Sequence, residues 1–151
     1  MNEETHTAEW LVARLEADNG PGGLFDPAYA VNGVPYALSG AYYQVIPESR
    51  NLPAIRFSTY YTEDKMVIGA DRILVQIDWL IFLVNEGLEV APLLPLVDRM
   101  DTLLHQADGE TSTLYVQSCT RLRPWSILEP DDSGVQFRHL GGLYRTMVQS
   151  K

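Results

Sequence analysis

Residues 71–85 read DRILVQIDWLIFLVN and form the most regular apolar stretch of the chain. Successive side chains of a strand point to opposite faces, and from Leu80 to Val84 both alternating sets are apolar. A strand with one face in water needs only one apolar set. The stretch predicts a long strand covered on both faces, by a second layer of the same chain or by another subunit. At about 3.3 Å per residue it would reach roughly 50 Å, so we expect an arm that projects from the domain.

Further strand patterns flank this stretch. Residues 53–61 alternate apolar and polar side chains and lead into a predicted turn at residues 62–65. Residues 113–128 and 135–148 predict a hairpin, because a proline, two aspartates and a glycine between them are typical of a turn. Gly141-Gly142 predicts a bulge in the second strand of this hairpin.

Two amphipathic helices complete the pattern. Residues 5–19 carry one apolar stripe, with Thr7 as a predicted N-cap, and residues 89–107 carry a longer stripe that begins near Pro92 and Pro95. The order of elements is helix, loop, two strands, helix, two strands. This order predicts an α+β fold in which an antiparallel sheet is backed by two helices, with a protruding hairpin or strand arm.

One irregular segment interrupts this order. Residues 20–52 are rich in glycine, proline and tyrosine, and they hold more aromatic side chains than a solvated linker usually does. We therefore expect an ordered loop with a short strand at residues 41–46, packed on its own core or on a neighbouring molecule. The 151 residues suit a single domain spanning 1–151.

Charge separates the chain into two parts. The formal net charge is −9, which argues against holding DNA by neutralising phosphates. Residues 1–111 carry six basic against seventeen acidic side chains, whereas residues 112–151 carry five against three. Such polarity favours head-to-tail contacts between copies, although the arginines could equally pair with acids of their own subunit. A signal peptide and a stretch able to span a membrane are not expected.

Few residues suggest chemistry. His6, His105 and His139 do not lie at metal-ligand spacings, and Cys119 is the only cysteine. Neither a glycine-rich phosphate loop nor a convergent pair of carboxylates is recognisable. The sequence predicts no catalytic residue, no metal site and no cofactor, and hence a protein that is not an enzyme.

Two groups of side chains point to contacts with partners. Four arginines on the C-terminal hairpin could meet phosphates or an acidic neighbour, or could pair across strands with Glu129 or Asp78. Aromatic side chains in loops and at strand ends could form an interface or the rim of the core. The predicted interface residues are Tyr42, Tyr43, Tyr60, Tyr61, Trp79, Phe82, Arg121, Arg123, Trp125, Arg138 and Arg145.

The layout resembles the tail-completion, or tail terminator, family of long-tailed bacteriophages across residues 53–149. The resemblance consists of several short matches in the family's order: a strand entered through proline, a long apolar strand, an amphipathic helix and a closing hairpin. These matches are Leu52-Pro53-Ala54-Ile55-Arg56-Phe57, Arg72-Ile73-Leu74-Val75-Gln76-Ile77, residues 93–104, Thr120-Arg121-Leu122 and Gly141-Gly142-Leu143-Tyr144-Arg145.

The resemblance implies a structural virion protein, assembled in the host cytoplasm. It implies a homo-oligomeric ring, typically of six copies, at the head-proximal end of the tail. The ring would stop growth of the tail tube, contact the tube protein and join the connector of the head. DNA would pass through its lumen without specific binding. A head-completion adaptor of the neck is the main alternative. A small-ligand-binding α+β module or enzyme with residues 20–52 as a lid belongs to a second class, and a monomeric bacterial stress or immunity protein belongs to a third.

Overall fold

The fold is a six-stranded sheet with two helices on one face and a two-stranded ribbon beside it. The computed structural model describes residues 2–48, 51–65 and 73–151. The helices are α1 (Asn2–Glu16) and α2 (Leu94–Leu104), and the strands are β1 (Ala30–Val31), β2 (Val34–Pro35), β3 (Ala41–Tyr43), β4 (Ala54–Lys65), β5 (Leu74–Glu86), β6 (Ala107–Glu110), β7 (Leu114–Pro130) and β8 (Gln136–Ser150).

β5 lies in the middle of the sheet. The strand order is β3-β4-β5-β8-β7-β6, and β5 pairs with β4 on one side and with β8 on the other. The predicted strand arm is therefore wrong for the described residues, because β8 hydrogen-bonds β5 from Leu74 to Glu86. The alternation of residues 74–85 is confirmed, whereas Asp71 and Arg72 lie outside the described residues.

The sheet is antiparallel with one exception. β3 runs parallel to β4, because the chain enters it from α1 through the long loop and not through a hairpin. The turn predicted at residues 62–65 is also wrong, since these polar residues continue β4 and pair with β5 as far as Lys65 opposite Leu74. An α+β fold with a largely antiparallel sheet and two helices agrees with the prediction.

α1 confirms the predicted apolar stripe. Leu11 and Leu15 are completely buried against the sheet, where α1 contacts β3, β7 and β8. The helix begins earlier than expected, at Asn2. Thr7 lies inside the helix, where its hydroxyl donates to the Glu3 carbonyl at 2.6 Å, so its predicted role as N-cap is wrong. The Glu3 carboxylate in turn accepts from the hydroxyl of Ser150, the last residue of β8, at 2.9 Å.

α2 is shorter than the predicted helix at residues 89–107. It starts with Pro95 in its first turn and buries Leu96, Met100 and Leu104. The backbone turns extended at His105 and takes a positive φ of 62° at Gln106. This turn carries the chain into β6, a strand that the sequence analysis did not predict.

The loop at residues 20–52 packs on the core of its own chain. Leu24 and Leu38 are buried in the main hydrophobic cluster, and the Tyr29 hydroxyl donates to the Pro92 carbonyl at 2.6 Å. β1 and β2 form a hairpin whose turn, Asn32-Gly33, has positive φ at both residues. This turn type requires the conformations that Asn and Gly tolerate best.

The C-terminal hairpin has the predicted strands and turn, but its bulges lie elsewhere. Register shifts occur in β7, between Val116 and Ser118 and between Arg121 and Arg123. β8 runs regularly through Gly141 and Gly142, so the predicted bulge there is wrong.

Candidate docking surface

The two faces of the sheet are covered in different ways. Side chains that lie opposite each other in an antiparallel pair share a face. Ile77, Trp79 and Ile81 therefore point toward the helices together with their β8 partners. The opposite side, which we name the open face, is not covered by α1 or α2. It is formed by Arg56, Ser58, Tyr61, Asp78, Leu80, Phe82, Arg123, Trp125, Ile127, His139, Leu143 and Arg145.

An aromatic contact spans the open face. The rings of Tyr60 on β4 and Trp125 on β7 lie 6.1 Å apart, edge to face, although β5 and β8 separate their strands. The Arg123 guanidinium stacks on the same tryptophan, 4.4 Å from the ring centre. We name these three side chains the aromatic bridge. Under it, Phe82 and Leu143 are only 3% and 6% exposed, so the sheet curls over its own open face.

Gly141 permits this curl. It lies between Phe82 and Trp125 in the register of the sheet. A Cβ atom at this position would stand 1.8 Å from the carbonyl oxygen of Ile81, which real atoms cannot tolerate. Glycine is therefore required for the close approach of β8 to β5, and it leaves room beneath the tryptophan ring.

One end of the open face is polar. The Arg145 guanidinium donates twice to the Asp78 carboxylate, at 2.9 and 3.0 Å, and Gln76 lies beside them at 3.4 Å from Asp78. The Asp78 side chain is 6% exposed. A buried carboxylate requires such a bidentate partner, because an unpaired charge there would be costly. Arg145 was predicted to contact a partner molecule, but its charge is satisfied by its own subunit.

The other three arginines of the hairpin differ in surroundings. Arg121 forms an ion pair with Asp101 of α2 at 3.3 Å, on the helix-covered side, whereas Arg123 lies on the open face. Strict alternation along a strand would place Arg121 and Arg123 on the same face, but the bulge between them shifts the register by one residue. Arg138 donates to the Leu88 carbonyl at 3.4 Å, and its buried Nε has no partner among the described residues.

The predicted aromatic interface residues fall into two groups. Trp79 is completely buried, with its indole nitrogen 2.9 Å from the Thr146 hydroxyl, and Phe82 is buried under the aromatic bridge. Neither presents surface to a partner, so these two predictions are corrected. Tyr43 is partly buried against Phe57 and Trp79 and donates to the Glu4 carboxylate, and together with Thr59 it lowers the pKa of Glu4.

Exposed aromatic and apolar side chains remain at the two margins of the open face. Tyr60 and Tyr61 on β4 are 54% and 48% exposed, and Tyr42 is half-buried near Ser39. Three exposed apolar side chains of β7 were not predicted, which are Leu122, Ile127 and Leu128; Ile127 lies on the open face, whereas Leu128 alternates to the other side of the strand. The signal for them was that apolar residues occur at both alternating positions of the predicted strand between Leu122 and Leu128.

These margins are also free edges of the sheet. Among the described residues, no strand pairs with the outer side of β7 beyond residue 119, or with that of β4 beyond residue 57. Pro124 and the bulge at Leu122 interrupt the β7 edge, and a bulge at Tyr60 interrupts the β4 edge. Such interruptions discourage unspecific pairing of strand edges, so contacts made here depend on side chains.

His139 is the one buried histidine of the described chain. It lies on the open face, packed edge to face on Phe82, with its Nε2 3.7 Å from the Glu129 carboxylate. Burial lowers its pKa, the nearby Arg56 lowers it further, and Glu129 opposes both effects. Its Nδ1 has no partner in the part of the chain that the structure describes.

Reactive groups do not converge in the described residues. Burial raises the pKa of the Cys119 thiol to about 12, so it stays protonated. No group of three metal-ligating side chains occurs within residues 2–48, 51–65 and 73–151. A depression of about 590 Å³ is lined by loop residues around Leu52 and by Asn85 and Glu86 at the end of β5. No helix of the described chain is both long and apolar enough to cross a membrane.

Comparison with known proteins yields a likeness of fold. Neither the models of protein families nor the curated proteins contain a match to the chain. Among solved structures, a chain of the "Virion of native gene transfer agent (GTA) particle" superposes with a TM-score of 0.50 at 14% sequence identity. The match covers 71% of this chain and 77% of the other. At this identity it shows that the two chains share an architecture.

Proposed function

We propose that this protein is a structural component of a virion, which forms a closed ring at the head-proximal end of a phage tail. In that position it terminates the tail tube and joins it to the connector of the head. It acts through surface contacts with copies of itself, with the tube protein and with the connector, and not through catalysis.

The observation that carries this proposal is the shared architecture with a chain of a gene transfer agent virion, over about three quarters of each chain. The tail-terminator resemblance of residues 53–149 points in the same direction independently of the structure. The exposed aromatic and apolar margins of the open face give such a protein surfaces for contacts. The acidic net charge suits a lumen through which DNA slides without binding.

The test is electron microscopy of particles assembled with and without this chain. Tails of excessive or irregular length in its absence would support termination of the tube. Tails of normal length that fail to join heads would overturn termination and favour an adaptor of the neck. Normal, fully joined particles would overturn the proposal altogether.

A further inference from the structure

Most of the described cations of this acidic chain are already neutralised within the subunit. Five of the described Lys and Arg side chains form ion pairs, and these are Lys65, Arg99, Arg121, Arg145 and Lys151. Two others, Arg56 and Arg123, lie on the open face with no carboxylate at ion-pair distance among the described residues. Free guanidinium groups on a chain of net charge −9 indicate a surface with an acidic partner.

These two arginines belong to one arrangement. Arg56 lies opposite Phe82, which lies opposite Gly141, which lies opposite Trp125, so a single line of paired residues runs across four strands from Arg56 to Trp125. Arg123 stacks on Trp125 and is held in place by that contact. A stacked guanidinium keeps its charge and its fork of donors while losing little freedom on binding. We name Arg56, Arg123, Tyr60 and Trp125 the cationic socket.

The chain also carries an acidic projection. β8 pairs with β5 only as far as Phe137 opposite Glu86, so the turn at residues 131–134 extends past the rest of the sheet. The Asp131 carboxylate accepts from the backbone nitrogens of Ser133 and Val135, both at 2.9 Å, which makes the turn rigid. Asp132 is exposed and has no cationic partner in the described residues.

We propose that the turn at residues 131–134 of one copy docks on the cationic socket of a second copy. The socket and the turn lie on different parts of the surface, so the contact is head-to-tail and each copy uses both surfaces. A repeated contact of this kind closes into a ring when the rotation between copies allows it. The inference rests on the proposed function and names the contact from which its ring is built.

The test uses the full chain with reversed charges. The double substitution Arg56→Glu/Arg123→Glu alters the socket, and Asp132→Lys alters the turn while leaving the Asp131 hydrogen bonds in place. Self-association is followed by sedimentation velocity across a concentration series at low salt. We expect each variant alone to associate about tenfold or more weakly than the unaltered chain. An equimolar mixture should regain association, because each variant retains the surface that the other has lost.

Two further measurements complete the experiment. The neutral variant Arg56→Gln/Arg123→Gln removes the charges without reversal and should weaken association, and circular dichroism checks that every variant is folded. Association that is unchanged in all variants, or an unaltered chain that stays monomeric throughout, overturns the inference. Neither result touches the proposed function, because tail length is measured separately in assembled particles.

Discussion

The two faces of the central strand are buried by different means. On the helix-covered face, Trp79 packs with α1 and α2 in one continuous apolar cluster. On the open face, Phe82 is only 3% exposed although neither helix covers it; its ring packs edge to face on His139, and Tyr60 and Trp125 meet across the same face. A strand that is apolar on both faces therefore needs neither a second helical layer nor a partner subunit.

The two faces also differ in whether they contribute to the stability of the fold or to contacts with other molecules. The helix-covered face is centred on completely buried apolar side chains such as Ile77, Trp79 and Ile81, so its main contribution is to the free energy of folding. The open face combines buried apolar side chains with exposed aromatic rings and arginines at its rim. We therefore expect substitutions on the first face to affect unfolding most, and substitutions on the second to affect association as well.

The largest expected effect is that of Trp79→Ala. The substitution removes a fully buried ring and its hydrogen bond to Thr146, and we expect a loss of about 3–5 kcal/mol in the free energy of unfolding. Urea unfolding followed by circular dichroism measures it, with Tyr115→Ala as the exposed control. A loss below about 1 kcal/mol would contradict a core on this face.

A smaller loss is expected for Trp125→Ala on the open face. The ring is partly exposed, and its contacts with Tyr60 and Arg123 together contribute about 1–2 kcal/mol. The same unfolding experiment measures the loss, and Trp125→Phe should recover part of it by keeping an aromatic ring at that position. If Trp125→Ala were as damaging as Trp79→Ala, the distinction between the two faces would fail.

The smallest expected effect is on the pH dependence of stability, and it comes from His139 on the open face. Burial lowers the pKa of folded His139 below its unfolded value, so the unfolded chain binds a proton more readily. The neutral His139 therefore contributes its full stabilisation when the pH is above the pKa of the unfolded histidine, about 6.5. This contribution is lost as the pH falls through the pKa of His139 in the folded chain. Thermal melts measured from pH values above about 6.5 to values below the folded pKa should show a smaller fall of melting temperature with pH for His139→Phe than for the unaltered chain. Equal pH dependence in His139→Phe and the unaltered chain, with His6→Gln as control, would contradict this assignment.

Periodicity predicted most of the architecture. The alternation around Trp79 identified the central strand, and the stripe of Leu11 and Leu15 identified α1. Both patterns are local, because each needs only the neighbours of a residue along the chain. The order of strands and the parallel β3 could not be predicted in this way, since they depend on contacts between distant segments.

The candidate surface was predicted less completely. Tyr60, Tyr61, Arg123 and Trp125 were chosen because aromatic and arginine side chains are common in interfaces, and these four do lie at the margins of the open face. The choice of Trp79 failed because chemical type does not indicate burial. The bulge at Leu122, which separates the faces of Arg121 and Arg123, leaves no clear mark in the sequence.

The packing of α1 has a consequence for the order in which the chain folds during synthesis. The ribosome makes this helix before any strand of the sheet, yet its apolar side packs on β7 and β8, the last strands of the sheet to be made, and Glu3 accepts a hydrogen bond from Ser150. Leu11 and Leu15 therefore have no access to these neighbours until the rest of the domain has been made. Contacts between such distant residues are slow to form, and apolar surface exposed meanwhile invites aggregation or a chaperone.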